Sequence, residues 1–154
     1  MSLLVIGSVA FDAIETPFGK TDKIIGGAAT YIAISSSYFG SDVNLVAVVG
    51  GDFPKDDIKL LQEHGVDTEG LQIKEDEKSF FWSGKYHNDM NSRDTLVTEL
   101  NVLENFDPII PQSYQSSDYV MLGNLSPQVQ KLVIERLETR PKLIVMDTMN
   151  FWMD

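Results

Sequence analysis

The fold class follows from one apolar stretch, DVNLVAVVGG at residues 42–51. Every side chain from Leu45 to Val49 is apolar, and Gly50 and Gly51 end the run. A strand with one face in water alternates apolar and polar residues, whereas a strand buried on both faces is continuously apolar. Similar runs occur at residues 3–6, 118–122 and 142–147. We therefore predict four buried strands of one largely parallel sheet.

Helical patterns lie between these strands. Residues 27–39 and 56–64 carry apolar side chains at near-helical spacing, and Gly65 is expected to end the second helix. A third helix is predicted from Ser126 as N-cap, through Pro127, to about residue 139. Buried strands that alternate with helices predict an α/β fold with a mainly parallel sheet flanked by helices.

Two segments depart from this alternation. Residues 11–25 contain Pro17 and Gly19 between two extended pieces, and residues 70–100 have strand patterns at 70–74, 79–86 and 95–100. We predict that both segments form a small β-sheet outside the main one. Only seven residues follow the last predicted strand, where a crossover helix is expected. Residues 1–154 are thus predicted to be the N-terminal part of one α/β domain, incomplete at the C-terminus.

Composition excludes several classes of protein. The 154 residues carry 12 basic and 23 acidic side chains, and a net charge of −11 argues against nucleic acid as a partner. The absence of Cys excludes disulfide scaffolds and thiolate zinc sites, and two His argue against a multi-histidine metal site. No run approaches the ~20 apolar residues of a membrane span, and no basic segment opens the chain. We expect a soluble, cytoplasmic protein without a membrane contact and without a metal site of its own.

Polar and glycine residues follow the predicted strands. Because ligands of open parallel sheets bind beyond the carboxyl ends of the strands, these residues are the candidates for a site. They are Asp12, the pair Gly26-Gly27, Gly50-Gly51-Asp52, Asn124, and Asp147 with Asn150. Asp52 is expected to support the loop that it occupies.

Several of these candidates have two interpretations. The Asp12 carboxylate could accept two hydrogen bonds from a vicinal diol, or it could be a solvated turn acid. Gly26-Gly27 could let a ligand approach free N–H groups of the following helix, or it could be a tight turn. Arg93 could contact a polyhydroxylated or anionic ligand, or it could form a surface ion pair with Asp94 or Glu99.

The aromatic run Phe80-Phe81-Trp82 is similarly open. These rings could stack on a sugar or a base, or they could pack the small sheet. The chain contains neither G-x-G-x-x-G nor a G-x-x-x-x-G-K-[ST] phosphate loop, which counts against a Rossmann-type nucleotide binder.

Taken in order, the motifs resemble the ribokinase-like PfkB family of carbohydrate and nucleoside kinases. The matching segments are GSVAFD at 7–12, TPFG at 16–19, IGGAATYIA at 25–33, VVGGDFP at 48–54 and HGVD at 64–67. The resemblance covers nearly the whole chain and is strongest over residues 1–67. It implies a ribokinase-like fold in which the small sheet is a lid, often shared in a homodimer.

The resemblance also implies a chemistry, which is ATP-dependent phosphoryl transfer to a hydroxymethyl group of a sugar or nucleoside, with Mg²⁺. Many members of the family have Asn at the position of Tyr31, so the resemblance does not specify which sugar or nucleoside is the substrate. The candidate substrate-binding residues are Asp12, Gly26, Gly27, Tyr31, Arg93 and Asn124. The candidate cofactor-binding residues are Asp147 and Asn150, near the phosphate end of the nucleotide site.

One family motif is absent from residues 1–154. Relatives carry a late Gly-Ala-Gly-Asp segment that supplies an anion hole and the catalytic Asp base, and this chain has no such segment. We therefore assign no catalytic residue here and expect this chain alone to be inactive. The alternative hypothesis is a non-enzymatic module that binds a small polyol or dimerises on the same half-fold.

Overall fold

The computed structural model describes residues 1–153, with Asn150 described by its backbone alone. Strands and helices alternate along most of the chain. The strands are β1 (Ser2–Ile6), β2 (Ala10–Thr16), β3 (Gly19–Lys20), β4 (Ile24–Gly26), β5 (Asp42–Gly50), β6 (Val66–Lys74), β7 (Phe81–Tyr86), β8 (Arg93–Glu99), β9 (Tyr119–Leu122) and β10 (Leu143–Met146). The α-helices are α1 (Ala28–Ser37), α2 (Lys55–Glu63), α3 (Pro127–Arg136) and α4 (Asn150–Met153), and 3₁₀ turns form at Asn101–Leu103 and Gln112–Tyr114.

The main sheet has five parallel strands in the order β10-β9-β1-β5-β6. Alternate residues of β1 enter two different apolar cores, Leu4 and Ile6 on one face and Val5 on the other. Burial on both faces explains the apolar runs of the inner strands β1, β5 and β9, whereas the edge strand β10 carries such a run although Leu143, Val145 and Met146 are exposed. Each fully buried Leu, Ile or Val contributes about 1.5–3 kcal/mol to stability. All four strands predicted from such runs form, as does the predicted α/β fold with a mainly parallel sheet.

Helices cover both faces of the main sheet. α1 and α2 pack on one face through Ala29, Ala33 and Leu61, while α3 and the segment around Tyr114 cover the other. The expected helix ends are confirmed, because Gly65 follows α2 with a φ of 76° and the Ser126 hydroxyl caps α3. No helix within residues 1–153 is long and apolar enough to cross a membrane.

One predicted strand lies in the other sheet. Residues 70–74 were expected in the small sheet, but they belong to β6, which pairs in parallel with β5 at the edge of the main sheet. Within residues 70–74 the apolar Leu71 and Ile73 alternate with polar side chains, which is also the pattern of an exposed antiparallel strand. Gly70 sits at this pairing because an added Cβ would lie 2.6 Å from the Leu45 carbonyl oxygen and 3.1 Å from the Tyr114 ring.

The small sheet has the strand order β3-β2-β7-β8, with β4 paired to β2. β2 and β7 pair in parallel, although 64 residues of chain lie between the end of β2 at Thr16 and the start of β7 at Phe81. The segment 11–25 therefore enters this sheet as expected, and the contribution of the second segment is limited to residues 81–99. The role of this sheet as a lid stays a prediction.

A hydrogen-bonded tether between the exposed Asp52 and the buried Ser79 joins the two sheets at the end of β5. The Asp52 carboxylate accepts hydrogen bonds from the Ser79 N–H and the Ser79 hydroxyl, both at 2.7 Å. The Gly50 N–H donates to the same hydroxyl at 3.0 Å, and the Asn101 amide donates to the Ser79 carbonyl at 2.9 Å. Added Cβ atoms at Gly50 or Gly51 would overlap the backbone of residues 75–79. The expectation that Asp52 supports its loop is confirmed, and its contact with Ser79 also fixes the segment that enters β7.

Candidate functional site

A cavity of about 480 Å³ lies where the carboxyl ends of the main-sheet strands face the small sheet. The polar side chains that line it are Ser8, Asp12, Arg93, Glu104, Asn124 and Ser126. The aromatic side chains are Tyr31, Phe80, Trp82, Tyr86 and Trp152. The aliphatic ones are Leu100, Leu103, Leu125, Val129 and Met149. A concave site with an aromatic wall and a few polar groups is the usual form of a small-molecule site.

Asp12 lies on β2 at the inner end of this cavity. Its carboxylate lies directly against the Cα of Gly26, so an added Cβ at Gly26 would overlap it. The Gly27 N–H donates to the carboxylate, which lowers the pKa of Asp12, but burial raises that pKa more and sets the direction of the shift. Gly26 itself does not line the cavity, and it contributes by leaving room for Asp12.

The start of α1 is held by the protein itself. Gly27 has a φ of 95° and its Cα faces the Ser8 carbonyl, so only glycine fits there without strain. The Ala28 N–H donates to the Ser8 hydroxyl and the Ala29 N–H donates to the Ser8 carbonyl, both at 3.0 Å. The expectation that this helix presents free N–H donors is therefore wrong for these two groups. A ligand that reaches Gly27 meets the Asp12 carboxylate instead.

Trp82 provides the wall opposite the main sheet. In the β2–β7 pairing Trp82 is the direct partner of Asp12, so the two side chains project from the same face of the small sheet. The indole ring covers Gly84, where an added Cβ would overlap it, and the indole N–H donates to the Thr95 hydroxyl at 3.3 Å. Gly84 thus lets the ring lie flat along the strand, as a platform beside the carboxylate.

Arg93 extends this platform. Its guanidinium lies 5.7 Å from the centre of the Trp82 ring, within the range of a cation–π contact. Asp94 pairs instead with His87, at 2.9 Å, and Arg93 forms no ion pair among residues 1–153. Of the two interpretations of Arg93, the geometry favours a position facing a ligand.

The remaining predicted residues divide between the cavity and its surroundings. Tyr31, 59% exposed, lines the cavity one helical turn beyond Gly27. Asn124 follows β9, and its side-chain oxygen accepts a hydrogen bond from the Trp152 indole at 2.8 Å. Asp147 is exposed and lies outside the cavity lining, and the Asn150 side chain lies outside the described part of the chain.

Sequence reasoning missed several lining residues. Ser8 carries no local signal, because it caps a helix that begins 20 residues later. Tyr86 and Glu104 come to the cavity through the pairing of β7 with β8 and the turn that follows. Trp82 and Gly84 are two residues apart on one strand, and this spacing indicates that the ring can lie over the glycine.

The aromatic run divides between two environments. Phe80 lines the cavity, whereas Phe81 packs toward the apolar core and Lys23.

Comparisons with known proteins agree with this geometry. The chain matches the pfkB family carbohydrate kinase over residues 2–144. It is 32% identical over 139 residues to a cytidine kinase of Thermococcus kodakarensis, covering 90% of this chain and 49% of that protein. It is 34% identical over 104 residues to a nucleoside kinase of Methanothermobacter thermautotrophicus, covering 58% of this chain and 34% of that protein.

A solved structure shares the fold. Ribokinase from Cryptococcus neoformans var. grubii serotype A, in complex with ADP, superposes with a TM-score of 0.74 at 21% identity, over 94% of this chain and 50% of that one. This chain thus spans about half the length of the first relative and of this structure.

Proposed function

Because the chain belongs to the PfkB family of carbohydrate kinases, we propose that it forms the acceptor-binding part of a sugar or nucleoside kinase. The reaction is ATP-dependent phosphorylation of a hydroxymethyl group. The observation that carries the proposal is Asp12, a half-buried carboxylate that faces the cavity between the Gly27 amide and the Trp82 ring.

Asp12 is suited to hold a pair of neighbouring hydroxyls. A carboxylate is an acceptor with two oxygens, and each can take a hydrogen bond from one hydroxyl of a vicinal diol. The Gly27 N–H and the close approach of Gly26 restrict the rotation of this side chain, so the acceptor atoms are oriented before the substrate arrives. The residues of this chain thereby bind and orient the acceptor, and none of them is assigned the removal of its proton.

A nucleoside fits the cavity better than a simple sugar does. A simple sugar presents hydroxyl groups on most of its surface, whereas the wall beyond Asp12 is aromatic and aliphatic. The Trp82 platform is suited to stack on a flat heterocycle, with the ribose diol on the adjacent Asp12. The two relatives in sequence, a cytidine kinase and a nucleoside kinase, are consistent with this choice.

The phosphoryl donor remains a family-based part of the proposal. ATP with Mg²⁺ would supply the transferred group, and the structure of the fungal ribokinase contains ADP. Among residues 1–153 no group of three or more His, Asp or Glu side chains is arranged to hold an ion by itself, and Mg²⁺ that accompanies a nucleotide takes most of its ligands from phosphates and water. Asp147 lies outside the cavity lining. We therefore propose that residues 1–154 bind the acceptor and do not turn over at a normal rate.

We propose that two copies associate through the small sheet. β8 is an edge strand, and all seven of its residues are exposed, among them Leu96 and Val97. An unpaired strand edge with apolar side chains is suited to pair with a second copy. Light scattering should give twice the chain mass for the wild type and the chain mass for Leu96→Asp, while Ile134→Asp on α3 should stay dimeric. A monomeric wild type would contradict the proposed dimer.

A cytoplasmic location of the protein also stays a prediction.

Titration calorimetry of residues 1–154 tests the central proposal. Nucleosides should bind more tightly than free ribose, and Asp12→Ala should weaken nucleoside binding by at least about 100-fold, since charged hydrogen bonds are worth about 1.5–3 kcal/mol each. Asp22→Ala, which removes an exposed carboxylate outside the cavity, is the matched control. A chain that binds neither ribose nor nucleosides, or that binds equally well after Asp12→Ala, would overturn the proposal.

A further inference from the structure

Three charged side chains line the cavity within the described part of the chain, and they differ in their surroundings. Asp12 receives the Gly27 amide, and Arg93 lies over the Trp82 ring. The third, Glu104, is exposed at the rim of the cavity and makes no side-chain hydrogen bond and no ion pair within residues 1–153. A charged group at a cavity wall without a protein partner is available to a ligand.

Glu104 is fixed by the turn that precedes it. The 3₁₀ turn Asn101–Leu103 follows β8, and the Glu104 N–H donates to the Asn101 carbonyl at 3.0 Å. Asn101 is itself held by its hydrogen bond to the Ser79 carbonyl. Leu100 and Leu103 of the same segment line the cavity beside Glu104. The carboxylate therefore extends from an apolar wall whose backbone is anchored to the tether between the sheets.

The chemistry of Glu104 restricts what it can contact. An ionised carboxylate accepts hydrogen bonds and donates none, so a ligand group that faces it must carry N–H or O–H. Asp12 accounts for the ribose hydroxyls, and the base stacked on Trp82 extends along the apolar wall. The base group suited to Glu104 is an exocyclic amino group, as in cytosine, adenine or guanine. A carbonyl at that position would place two acceptors against each other.

We propose that Glu104 is a specificity determinant that selects nucleosides whose base carries an exocyclic amino group over their carbonyl counterparts. This inference rests on the proposed nucleoside-binding function and adds the class of base. Selection arises because a base carbonyl that faces the carboxylate would displace water from Glu104 and return no donor.

Matched nucleoside pairs test the inference by calorimetry on residues 1–154. Cytidine and uridine differ in an exocyclic amino group against a carbonyl, with the adjacent ring nitrogen changing from an acceptor to an N–H donor, and so do adenosine and inosine. The wild type should prefer the amino member of at least one pair by about tenfold or more, the discrimination expected of one hydrogen bond to a charged group. Glu104→Gln, whose amide both donates and accepts, should reduce that ratio to about threefold or less.

The affinity of Glu104→Gln for the carbonyl-bearing nucleoside of each pair distinguishes a specificity role of Glu104 from a structural one. Glu104→Gln should bind uridine or inosine more tightly than the wild type does, whereas a merely structural role would weaken both members of a pair equally. Glu99→Gln, an exposed glutamate on β8 that does not line the cavity, should leave every ratio unchanged.

Each failure has its own reading. Equal wild-type affinities within both pairs, or an unchanged ratio in Glu104→Gln, would overturn the role of Glu104 while the nucleoside site stands. A wild type that binds no nucleoside would overturn the proposed function itself and this inference with it.

Discussion

The two sheets differ in how much of their surface is buried. β5 of the main sheet has six consecutive buried residues, 45–50, whereas all seven residues of β8 in the small sheet are exposed. Yet the small sheet carries Asp12, Trp82 and Arg93, three of the side chains suited to meet a ligand. The comparison leads us to propose different roles for the two sheets. The main sheet stabilises the fold, and the small sheet binds the ligand with few buried residues of its own.

The largest expected effect tests the first half of this division. Leu45→Ala removes a side chain with 0% exposure between two helices and the sheet, and it should lower the free energy of unfolding by about 2–5 kcal/mol. Ile24→Ala on β4, where the side chain is 40% exposed, should cost less than about 1 kcal/mol. Urea unfolding measures both. Similar losses would show that the small sheet contributes to stability as the main sheet does.

The tether between the sheets should have the next largest effect. Asp52→Ala removes the acceptor of the Ser79 N–H and hydroxyl and should cost about 1–3 kcal/mol, the penalty of leaving buried donors unpaired. Because the same contact fixes the entry to β7, ligand affinity should fall as well. In a double-mutant cycle with Ser79→Ala, the two unfolding losses should be strongly non-additive. Additive losses would mean that the two residues act separately.

The same contrast explains what the sequence could predict. Continuous apolar runs identified four strands of the main sheet. In the inner strands β1, β5 and β9 these runs follow from burial on both faces, whereas the edge strand β10 carries such a run although three of its four side chains are exposed. The expectation that residues 70–74 join the small sheet is wrong, because their alternating side chains do not distinguish this strand of the main sheet from a strand of a small exposed sheet. Strand patterns specify burial, and they do not specify the partner strand.

Strand ends and glycine pairs predicted Asp12, Gly27 and Asn124, and the structure brings them to one cavity. Tyr31 and Arg93, which were also predicted, line the same cavity without either signal. Ser8 and Glu104 were not found, because their positions depend on a helix capped from 20 residues away and on the turn after β8. Such tertiary contacts leave no periodic signal in a single sequence.

Addition of one methyl group to the small sheet, at Gly84, tests whether this sheet binds the nucleoside. Gly84→Ala places a Cβ where the Trp82 ring now lies, so the ring must move off the strand. Nucleoside affinity should fall about tenfold, since stacking a base on an aromatic side chain is worth about 1–3 kcal/mol. Gly19→Ala is the matched control, because its Cβ meets no atom within 4 Å. Intrinsic fluorescence reports the displacement, and unchanged affinity together with a displaced ring would remove the platform role.

The smallest expected effect concerns the charge on Asp12. Burial raises the pKa of this carboxyl above its usual 3.8, so the folded chain holds the proton to higher pH than the unfolded chain does. Below the unfolded pKa both states are protonated and the group is neutral toward stability. As pH rises through the unfolded and then the folded pKa, the free energy of unfolding falls, and the full loss persists at neutral pH.

Asp12→Asn should therefore stabilise the chain at pH 7 by less than about 1 kcal/mol, in the range of changes that relieve a functional residue. The difference from the wild type should shrink as the pH falls toward 4, and Asp22→Asn, an exposed matched control, should show no such dependence. Melting temperatures between pH 4 and pH 7 measure it. The same variant should bind nucleosides more weakly, because the amide offers one acceptor oxygen where the carboxylate offers two. A gain in stability coupled to a loss of binding is the outcome expected if the small sheet keeps a buried charge for recognition, and a variant that is less stable at pH 7 would show instead that Asp12 supports the fold.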